Sequence, residues 1–405
     1  MEVVFVVIEF NLLETIAFAM AIFGLGIQLK KRIRFLSKYL IPAPVIGGVV
    51  FSLLKWALRD YVTFQFDMTM QVHLMVAFFI ATGLSASFSM LKKGGVQVFV
   101  FLGVASLLVL LQDTLSVALS YPLGMSPILS LLAGSITMSG GHGTGALYAK
   151  LFTNMGYKGC MEMAMAAATF GLVTGSIMGG PLARKLIKKY DLLSKETDSS
   201  STPTENKITV DMELNDGPVT SIAIISTFFQ FSLAMVLGHF IEHLMIPYGI
   251  TLPTYLYALF VGIFIRLISD RARRYKIHLR IVSMFGEVSL AIFLTLSLMS
   301  LELWQLSDIA GPMLVILLCQ ALLMFLFAYY VTFRIMGRDY AAAVISGGHC
   351  GFGLGATPNA IANMDAIVAQ NVPSPRAYFV VSIVGAFFID ITNAMIIQTF
   401  VSIFR

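Results

Sequence analysis

The sequence is poor in charged residues and in cysteine. Charged residues make up 12% of the 405 residues, and hydrophobic residues make up 58%. A soluble domain usually carries about 25% charged residues. The three cysteines, Cys160, Cys319 and Cys350, are too few and too scattered for a disulfide framework or a metal cluster. The composition therefore excludes an ordinary soluble protein and a disulfide-stabilised scaffold.

The apolar residues gather into ten long stretches, each able to cross ~30 Å of hydrocarbon as a helix. We predict ten membrane-spanning helices, at residues 12–29, 39–57, 74–91, 96–119, 160–182, 221–246, 252–268, 283–302, 310–335 and 376–402. The fold class expected from this pattern is an all-α polytopic membrane protein surrounded by lipid.

The basic residues indicate the orientation of these helices. Lys and Arg cluster after the first, third, fifth, seventh and ninth predicted spans. Because cytoplasmic loops carry an excess of Lys and Arg, both termini are predicted to lie outside, on the periplasmic side. The net charge of +5 arises from these loops and does not indicate a nucleic-acid partner.

One polar stretch divides the chain into two halves. Residues 188–218, KKYDLLSKETDSSSTPTENKITVDMELNDGP, are rich in Ser, Thr, Glu, Lys and Asp. Such a composition cannot bury enough apolar surface to become ordered. We expect a flexible cytoplasmic linker between an N-terminal half (1–187) and a C-terminal half (219–405). A tether is favoured over the alternative, a regulatory segment.

The two halves resemble each other weakly. The segment around Pro44 matches the segment around Pro253, and AFFIATGL at Ala77 matches AIFLTLSL at Ala291. With five predicted spans in each half, the second half enters the membrane from the opposite side. This predicts two inverted five-helix repeats with a site near mid-membrane, built from broken helices. The glycine-rich segments align on either their histidines or their glycines, and both alignments stay open.

Each half contains a glycine-rich window that is too apolar for an exposed loop and too interrupted for a spanning helix. These windows are residues 128–153 and 341–368. Counting the first as a full span would also reverse the sidedness of every later loop. We predict two re-entrant hairpins, because non-helical backbone at membrane depth survives only against protein or a water-filled cavity. Small-residue packing is the alternative, but it does not require so many hydroxyl, amide and imidazole groups.

The hairpins offer chemistry for an anion and a cation. Glycine permits the backbone of a tight turn, and Pro358 suits the first turn of a returning helix that Thr357 could cap. Two half-helix N-termini would present free N–H groups and partial positive charge to an anion. Carbonyl groups exposed at the breaks could coordinate a small cation. The residues alone thus predict an inverted-repeat secondary transporter for a small anion together with a cation.

Four segments resemble the signatures of the bacterial sodium/glutamate symporters. They are LLAGSITMSGGHGTG (131–145), MAAATFGLV (165–173), AVISGGHCGFGLGATPNAIANM (343–364) and VGAFFIDITNA (384–394). The similarity covers the whole chain apart from the central linker. It implies sodium-coupled import of L-glutamate across the inner membrane by a homodimer with an elevator-type transport domain.

With this resemblance, roles can be assigned to the polar and glycine residues of the hairpins. The predicted substrate-binding residues are Ser135, Thr137, Ser139, Gly140, Gly141, His142, Thr144, Cys350, Phe352, Gly353, Gly355, Thr357, Asn359 and Asn363. His142, like His349, either touches substrate or holds the shape of its hairpin. At Asn359 the family pattern leads us to expect a smaller hydroxylic residue, so this position bears on selectivity.

The predicted sodium ligands lie in the last span. Asp390 falls midway along it, where an unpaired carboxylate costs about 2.5–3.5 kcal/mol on translocon scales. With Thr392 and Asn393 beside it, Asp390 is predicted to bind sodium, and a buried polar pairing is the alternative. We expect no cofactor other than co-transported Na⁺.

Two other functions have some support in the sequence. A carrier or exchanger for another small organic anion, of the hydroxy-dicarboxylate type, could share the hairpins but not the substrate. The segment HFIEH (239–243) matches the zinc-peptidase pattern H-x-x-E-H. Since no third ligand stands out and the segment lies at the outer end of a span, we expect no enzyme.

Overall fold

The computed structural model describes residues 6–38, 41–59, 61–86, 95–192, 218–248, 254–271, 277–299 and 310–404. Across these residues the chain is almost entirely helical, which confirms the predicted all-helical class. Within the described residues, each of the ten predicted spans lies on helix.

The helices of the first half are α1 Leu12–Arg32, α2 Arg34–Lys38, α3 Ala43–Leu58, α4 Thr69–Ser85, α5 Gly95–Ser120, α6 Pro127–Ser130, α7 Ser135–Met138, α8 Gly141–Asn154 and α9 Cys160–Tyr190. A 3-10 turn, Leu131–Ala133, lies between α6 and α7. Two short strands were not predicted: β1 (Val6–Phe10) and β2 (Val62–Phe66) pair in parallel, with Val6 opposite Val62.

The helices of the second half are α10 Ser221–Met245, α11 Thr254–Arg271, α12 Leu279–Met299, α13 Ala310–Phe327, α14 Phe333–Ile335, α15 Tyr340–Gly353, α16 Thr357–Val368, α17 Pro375–Ile383 and α18 Ile389–Phe404. A 3-10 turn, Ile246–Tyr248, follows α10. One π-helical turn, Ala328–Thr332, joins α13 to α14, and another, Val384–Phe388, joins α17 to α18.

Six helical segments in the described part of the chain are long and apolar enough to cross a membrane. They are Leu12–Arg32, Gly95–Ser120, Cys160–Tyr190, Ser221–Met245, Leu279–Met299 and Ala310–Ile335. Among the remaining predicted spans, α3, α4 and α18 are apolar but shorter, at 16 to 17 residues.

Side-chain caps fix where several helices begin. Asn11 and Glu14 form a capping box at α1, in which each side chain accepts the backbone N–H of the other residue, at 3.0 and 2.9 Å. Asp339 accepts the N–H of Ala342 at 2.7 Å and so caps α15. Pro358 and Pro375 lie in the first turns of α16 and α17, where a missing N–H costs nothing.

The described residues form two compact units, and each unit draws on both halves of the chain. The first holds α1–α4 and α10–α12 together with residues 149–165. Its core includes Ala19, Ile22 and Phe51, against which further phenylalanines such as Phe18 and Phe66 pack. Phe18 and Phe51 contact edge to face with ring centroids 5.2 Å apart.

The second unit holds α5–α7, α13–α18 and the parts of α8 and α9 that lie outside residues 149–165. In this unit the predicted hairpin 341–368 is a pair of helices, α15 and α16, with a break between them. The other, 128–153, contains three short helical turns followed by α8.

The predicted linker begins inside a helix. Helix α9 continues past the predicted end at 182 to Tyr190, although Pro181 lies within it. Residues 188–190 therefore belong to the last turn of α9 and not to a linker. Most of the remaining linker, residues 193–217, lies outside the described residues.

Candidate functional site

The two hairpin breaks meet in the second unit. Helix α8 begins at Gly141, whose φ of +63° is a left-handed conformation that glycine adopts without strain. A Cβ added at Gly141 would lie 3.2 Å from the carbonyl oxygen of Gly355, in the break before α16. The N-termini of two broken helices, one from each hairpin, are therefore neighbours. Gly141 and Thr357 are half-buried.

A buried glutamine holds both hairpins at this point. Gln112 of α5 donates its Nε2–H to the carbonyl of Gly353 at 2.8 Å, and its Oε1 accepts the hydroxyl of Ser139 at 2.8 Å. Gln320 of α13 in turn donates to the backbone carbonyl of Gln112 at 2.7 Å. Gln112 and Gln320 are fully buried. Predicted residues Ser139 and Gly353 are thus brought together, but by a side chain that was not predicted.

A second buried cluster joins the first hairpin to α5 and α18. The backbone N–H and the hydroxyl of Ser135 lie 2.8 and 2.9 Å from the two carboxylate oxygens of Asp113. The same hydroxyl lies 2.8 Å from Oδ1 of Asn393. Ser135 and Asp113 are fully buried, and Asn393 is 2% exposed. A predicted substrate ligand and a predicted sodium ligand therefore share one cluster.

The other two predicted sodium ligands lie outside that cluster. Thr392 accepts the hydroxyl of Ser106 at 3.1 Å. Asp390 is half-buried, and its carboxylate has no hydrogen-bond or ion-pair partner among the described residues. The structure therefore joins only Asn393, of the predicted three, to another predicted site residue.

Thr357 does not cap α16 as predicted. The N-cap is Ala356, which has an extended backbone and no side chain that could accept a hydrogen bond. Thr357 is the first helical residue, and its hydroxyl donates to the carbonyl of Gly385 at 2.6 Å. Gly385 lies in the π-helical turn between α17 and α18, where backbone carbonyls depart from the regular helical pattern. The bond ties the second hairpin break to this turn.

The two predicted asparagine ligands instead support the packing of α16 on α9. Asn359 donates to the carbonyl of Leu172 at 3.0 Å, and Asn363 donates to the carbonyl of Gly175 at 2.9 Å. Their spacing of four residues places both on one face of α16. Both side chains are buried, and the hydrogen bonds to α9 pair their amide nitrogens, whereas Oδ1 of Asn359 is buried with no hydrogen-bond partner in the described part of the chain.

Each histidine of the hairpins bonds a threonine. Nε2 of His142 lies 3.1 Å from the hydroxyl of Thr169. Nδ1 of His349 lies 2.9 Å from the hydroxyl of Thr332, in the π-helical turn after α13. Both imidazoles are buried, and the ring of His349 packs edge to face on Phe101 at 5.1 Å. These contacts favour the shape-holding role over direct substrate contact.

Several other predicted ligands are buried inside the unit. Thr137 donates to the carbonyl of Leu132 at 2.7 Å, within its own hairpin. Phe352 packs beside the ring of His349, with centroids 4.9 Å apart. A Cβ at Gly140 would lie 2.7 Å from that of Thr144, so these two residues pack on each other. Cys350 is completely buried. Cys350, a predicted substrate-binding residue, is therefore not exposed to water in this structure.

We expect Cys350 to be nearly inert toward a maleimide in the folded protein, because thiolate formation needs water. A variant that carries Cys160→Ser and Cys319→Ser isolates its signal. Labelling should be at least about tenfold slower than in the same background carrying Cys350→Ser and Asp365→Cys, since Asp365 is exposed on α16. Comparable rates at the two positions, measured by mass spectrometry, would show that the hairpin opens.

Sequence reasoning missed Gln112 and Asp113, which organise both clusters. A signal was available, since Asp113 is the only ionisable residue between Gly95 and Ser120. An ionisable residue inside a spanning helix is by default a candidate functional residue. The same argument was applied to Asp390 but not to Asp113.

A family model and two curated relatives carry the same description. A family model described as sodium/glutamate symporter matches residues 8–373. A protein from Haemophilus influenzae named sodium/glutamate symporter is 41% identical over 397 residues, 96% of either chain. One of the same name from Escherichia coli is 42% identical over 393 residues, again 96% of either chain. The solved structure of the sodium proton antiporter MjNhaP1 from Methanocaldococcus jannaschii aligns with 97% of this chain and 98% of its own, at 14% identity and a TM-score of 0.42.

Proposed function

Because the chain belongs to the sodium/glutamate symporter family, we propose that it imports L-glutamate across the bacterial inner membrane together with sodium ions. It is a transporter and catalyses no chemical reaction. The observation in the structure that best supports an anionic substrate is the meeting of two broken-helix N-termini at Gly141 and Gly355.

The two helix N-termini suit a dicarboxylate. The first N–H groups of a helix have no intrahelical partners and carry partial positive charge. We propose that the first N–H groups of α8, from Gly141 onward, face the carboxylates of glutamate, while Ser139 and Thr144 line the same region. The predicted N–H donors of Gly140 and Gly355 already bond the carbonyls of Ser135 at 2.9 Å and Phe352 at 3.3 Å. The hydrogen bonds of Asn359 and Asn363 to α9 favour a supporting role for these two residues in the hairpin.

The architecture proposed is two inverted repeats with re-entrant hairpins. The five long helices of the first half have counterparts in the second, and each compact unit takes equivalent elements from both halves. The first unit contains the first three long helices of each half, α1, α3 and α4 and then α10–α12. Apart from residues 149–165, the second unit contains, from each half, a hairpin and the two long helices on either side of it. We propose that the second unit moves as an elevator-type transport domain and that the protein is a homodimer with both termini periplasmic.

Purified protein in liposomes should accumulate labelled L-glutamate only under an inward sodium gradient. Moving the net −1 charge of glutamate against ~100 mV costs about 2.3 kcal/mol, and one Na⁺ only cancels that charge. An inside-negative potential should therefore stimulate uptake if two or more sodium ions accompany each glutamate. Equal uptake with potassium in place of sodium would contradict sodium coupling.

Counterflow with unlabelled competitors tests the substrate. Glutamate should compete fully, and malate or another hydroxy-dicarboxylate should compete poorly. The reverse order would favour the related carrier for hydroxy-dicarboxylates. Protein-free liposomes and liposomes without a gradient are the controls.

A further inference from the structure

A buried carboxylate without a counter-charge lies beside the first hairpin. Asp113 is 0% exposed in the middle of α5, and in the described part of the chain no Lys, Arg or His lies within ion-pair distance of it. Removing a carboxylate from water is expensive unless a cation or several hydrogen bonds compensate. The described partners of Asp113 are the N–H and the hydroxyl of one residue, Ser135.

The hydroxyl of Ser135 lies within hydrogen-bond distance of two acceptor oxygens but can donate to only one of them. Its oxygen lies 2.9 Å from Oδ2 of Asp113 and 2.8 Å from Oδ1 of Asn393. A serine hydroxyl has one hydrogen, so with the carboxylate of Asp113 ionised, one of these two close oxygen–oxygen contacts has no proton between its atoms. The oxygens of Asp113, Ser135 and Asn393 therefore lie close together without enough hydrogens to pair them. Hard cations prefer such a set of oxygen ligands.

The backbone at Gly134 leaves room for this cluster. A Cβ at Gly134 would lie 2.6 Å from Oδ1 of Asp113, 2.9 Å from the hydroxyl of Ser116 and 3.2 Å from the carbonyl of Leu131. The hydroxyl of Ser116, which also accepts an N–H of Gln320 at 2.9 Å, and the carbonyl of Leu131 are thus two further oxygens around the same point as Oδ1 of Asp113. Any side chain at position 134 would fill this space.

We propose that Asp113, Ser135 and Asn393 bind one of the co-transported sodium ions, with Ser116 or the carbonyl of Leu131 completing the oxygen set. This inference rests on the proposed sodium-coupled function and assigns the site within it. It replaces the predicted Asp390 by Asp113 and retains Asn393. Because Ser135 belongs to the first hairpin, sodium at this site would fix the hairpin on α5 and α18, and so couple cation binding to the shape of the substrate region.

The test is the sodium dependence of thermal unfolding of the purified full-length protein. A ligand that binds only the folded state raises the unfolding temperature by mass action. Sodium chloride should raise it above its value in potassium chloride of equal ionic strength. In Asp113→Asn the sodium concentration needed for a given rise in the unfolding temperature should increase at least about tenfold, and in Ser135→Ala about threefold or more. Asp365→Asn, a change of the same type at an exposed position, should match the wild type.

Further measurements distinguish a wrong sodium ligand from a variant that does not fold and from a wrong proposed function. Asp390→Asn should need the wild-type sodium concentration for the same rise in unfolding temperature. A tenfold higher requirement in that variant, with no increase in Asp113→Asn, would overturn the assignment. If Asp113→Asn does not fold, Ser135→Ala decides, and a wild-type sodium response in it would overturn the proposal. Wild-type protein in liposomes that takes up glutamate without sodium would contradict the proposed function itself, whatever the variants do.

Discussion

Replacing Gln112 by methionine should lower sodium-driven glutamate uptake by about a hundredfold while the protein still inserts in the membrane. Methionine keeps the approximate length of glutamine but removes both of its polar contacts. The carbonyl of Gly353 loses a donor at 2.8 Å, and the hydroxyl of Ser139 loses an acceptor at 2.8 Å. Each buried polar group left unpaired costs about 1–3 kcal/mol, and a hundredfold effect corresponds to about 2.7 kcal/mol.

The loss should fall on the hairpins specifically. Once Gln112 is gone, the carbonyl of Gly353 at 3.4 Å is a poor substitute acceptor for Ser139. Gln112→Glu keeps an acceptor for Ser139 but no donor for Gly353, so we expect it to be impaired as well. Thr114→Val is the matched control, because Thr114 is exposed on the same helix and bonds only its own turn, at Leu110. Uptake by Gln112→Met within threefold of that control would contradict the proposed role of Gln112.

The helices could be predicted because hydropathy is a local property. In the part of the chain that the structure describes, each window of sufficient apolar length is helical, and the glycine-rich windows at 128–153 and 341–368 are broken helices. The pairing of β1 with β2 could not be predicted in the same way. Val6 and Val62 are far apart in the chain, and neither segment carries a turn signal that joins it to the other.

The candidate site was only partly predictable because its hydrogen bonds join distant segments. The sequence indicated that polar residues in apolar windows matter, and Ser135, Ser139 and Asn393 are in polar clusters. It could not indicate that Asn359 and Asn363 are used for carbonyls of α9, since that depends on how closely two helices approach. Local rules also placed the start of α16 one residue too late, and so gave Thr357 the role of a cap.

The approach of α9 to the second hairpin leads to the last prediction, which concerns its glycines. A Cβ at Gly171 would lie 2.1 Å from the carbonyl of Leu354, in the hairpin break, and a Cβ at Gly179 would lie 2.2 Å from the side-chain nitrogen of Asn363. Contacts under 3.0 Å force atoms apart. At Gly180 the nearest atom would be 3.7 Å away, at the end of the Arg184 side chain, which is ordinary contact.

Alanine should therefore be harmful at Gly171 and Gly179 but tolerated at Gly180, although all three residues lie on one helix. Gly171→Ala and Gly179→Ala should each lower the unfolding temperature and reduce uptake at least about tenfold, because α9 must move away from the hairpin break or from Asn363. Gly180→Ala should leave uptake unchanged and could raise stability by up to about 1 kcal/mol, since alanine favours helix over glycine. Thermal unfolding and uptake of the three purified variants, measured side by side, check this. Equal unfolding temperatures and uptake in Gly171→Ala and Gly180→Ala would mean that the backbone of the hairpin break does not pack directly on α9. The close contact between α9 and the site would then be wrong.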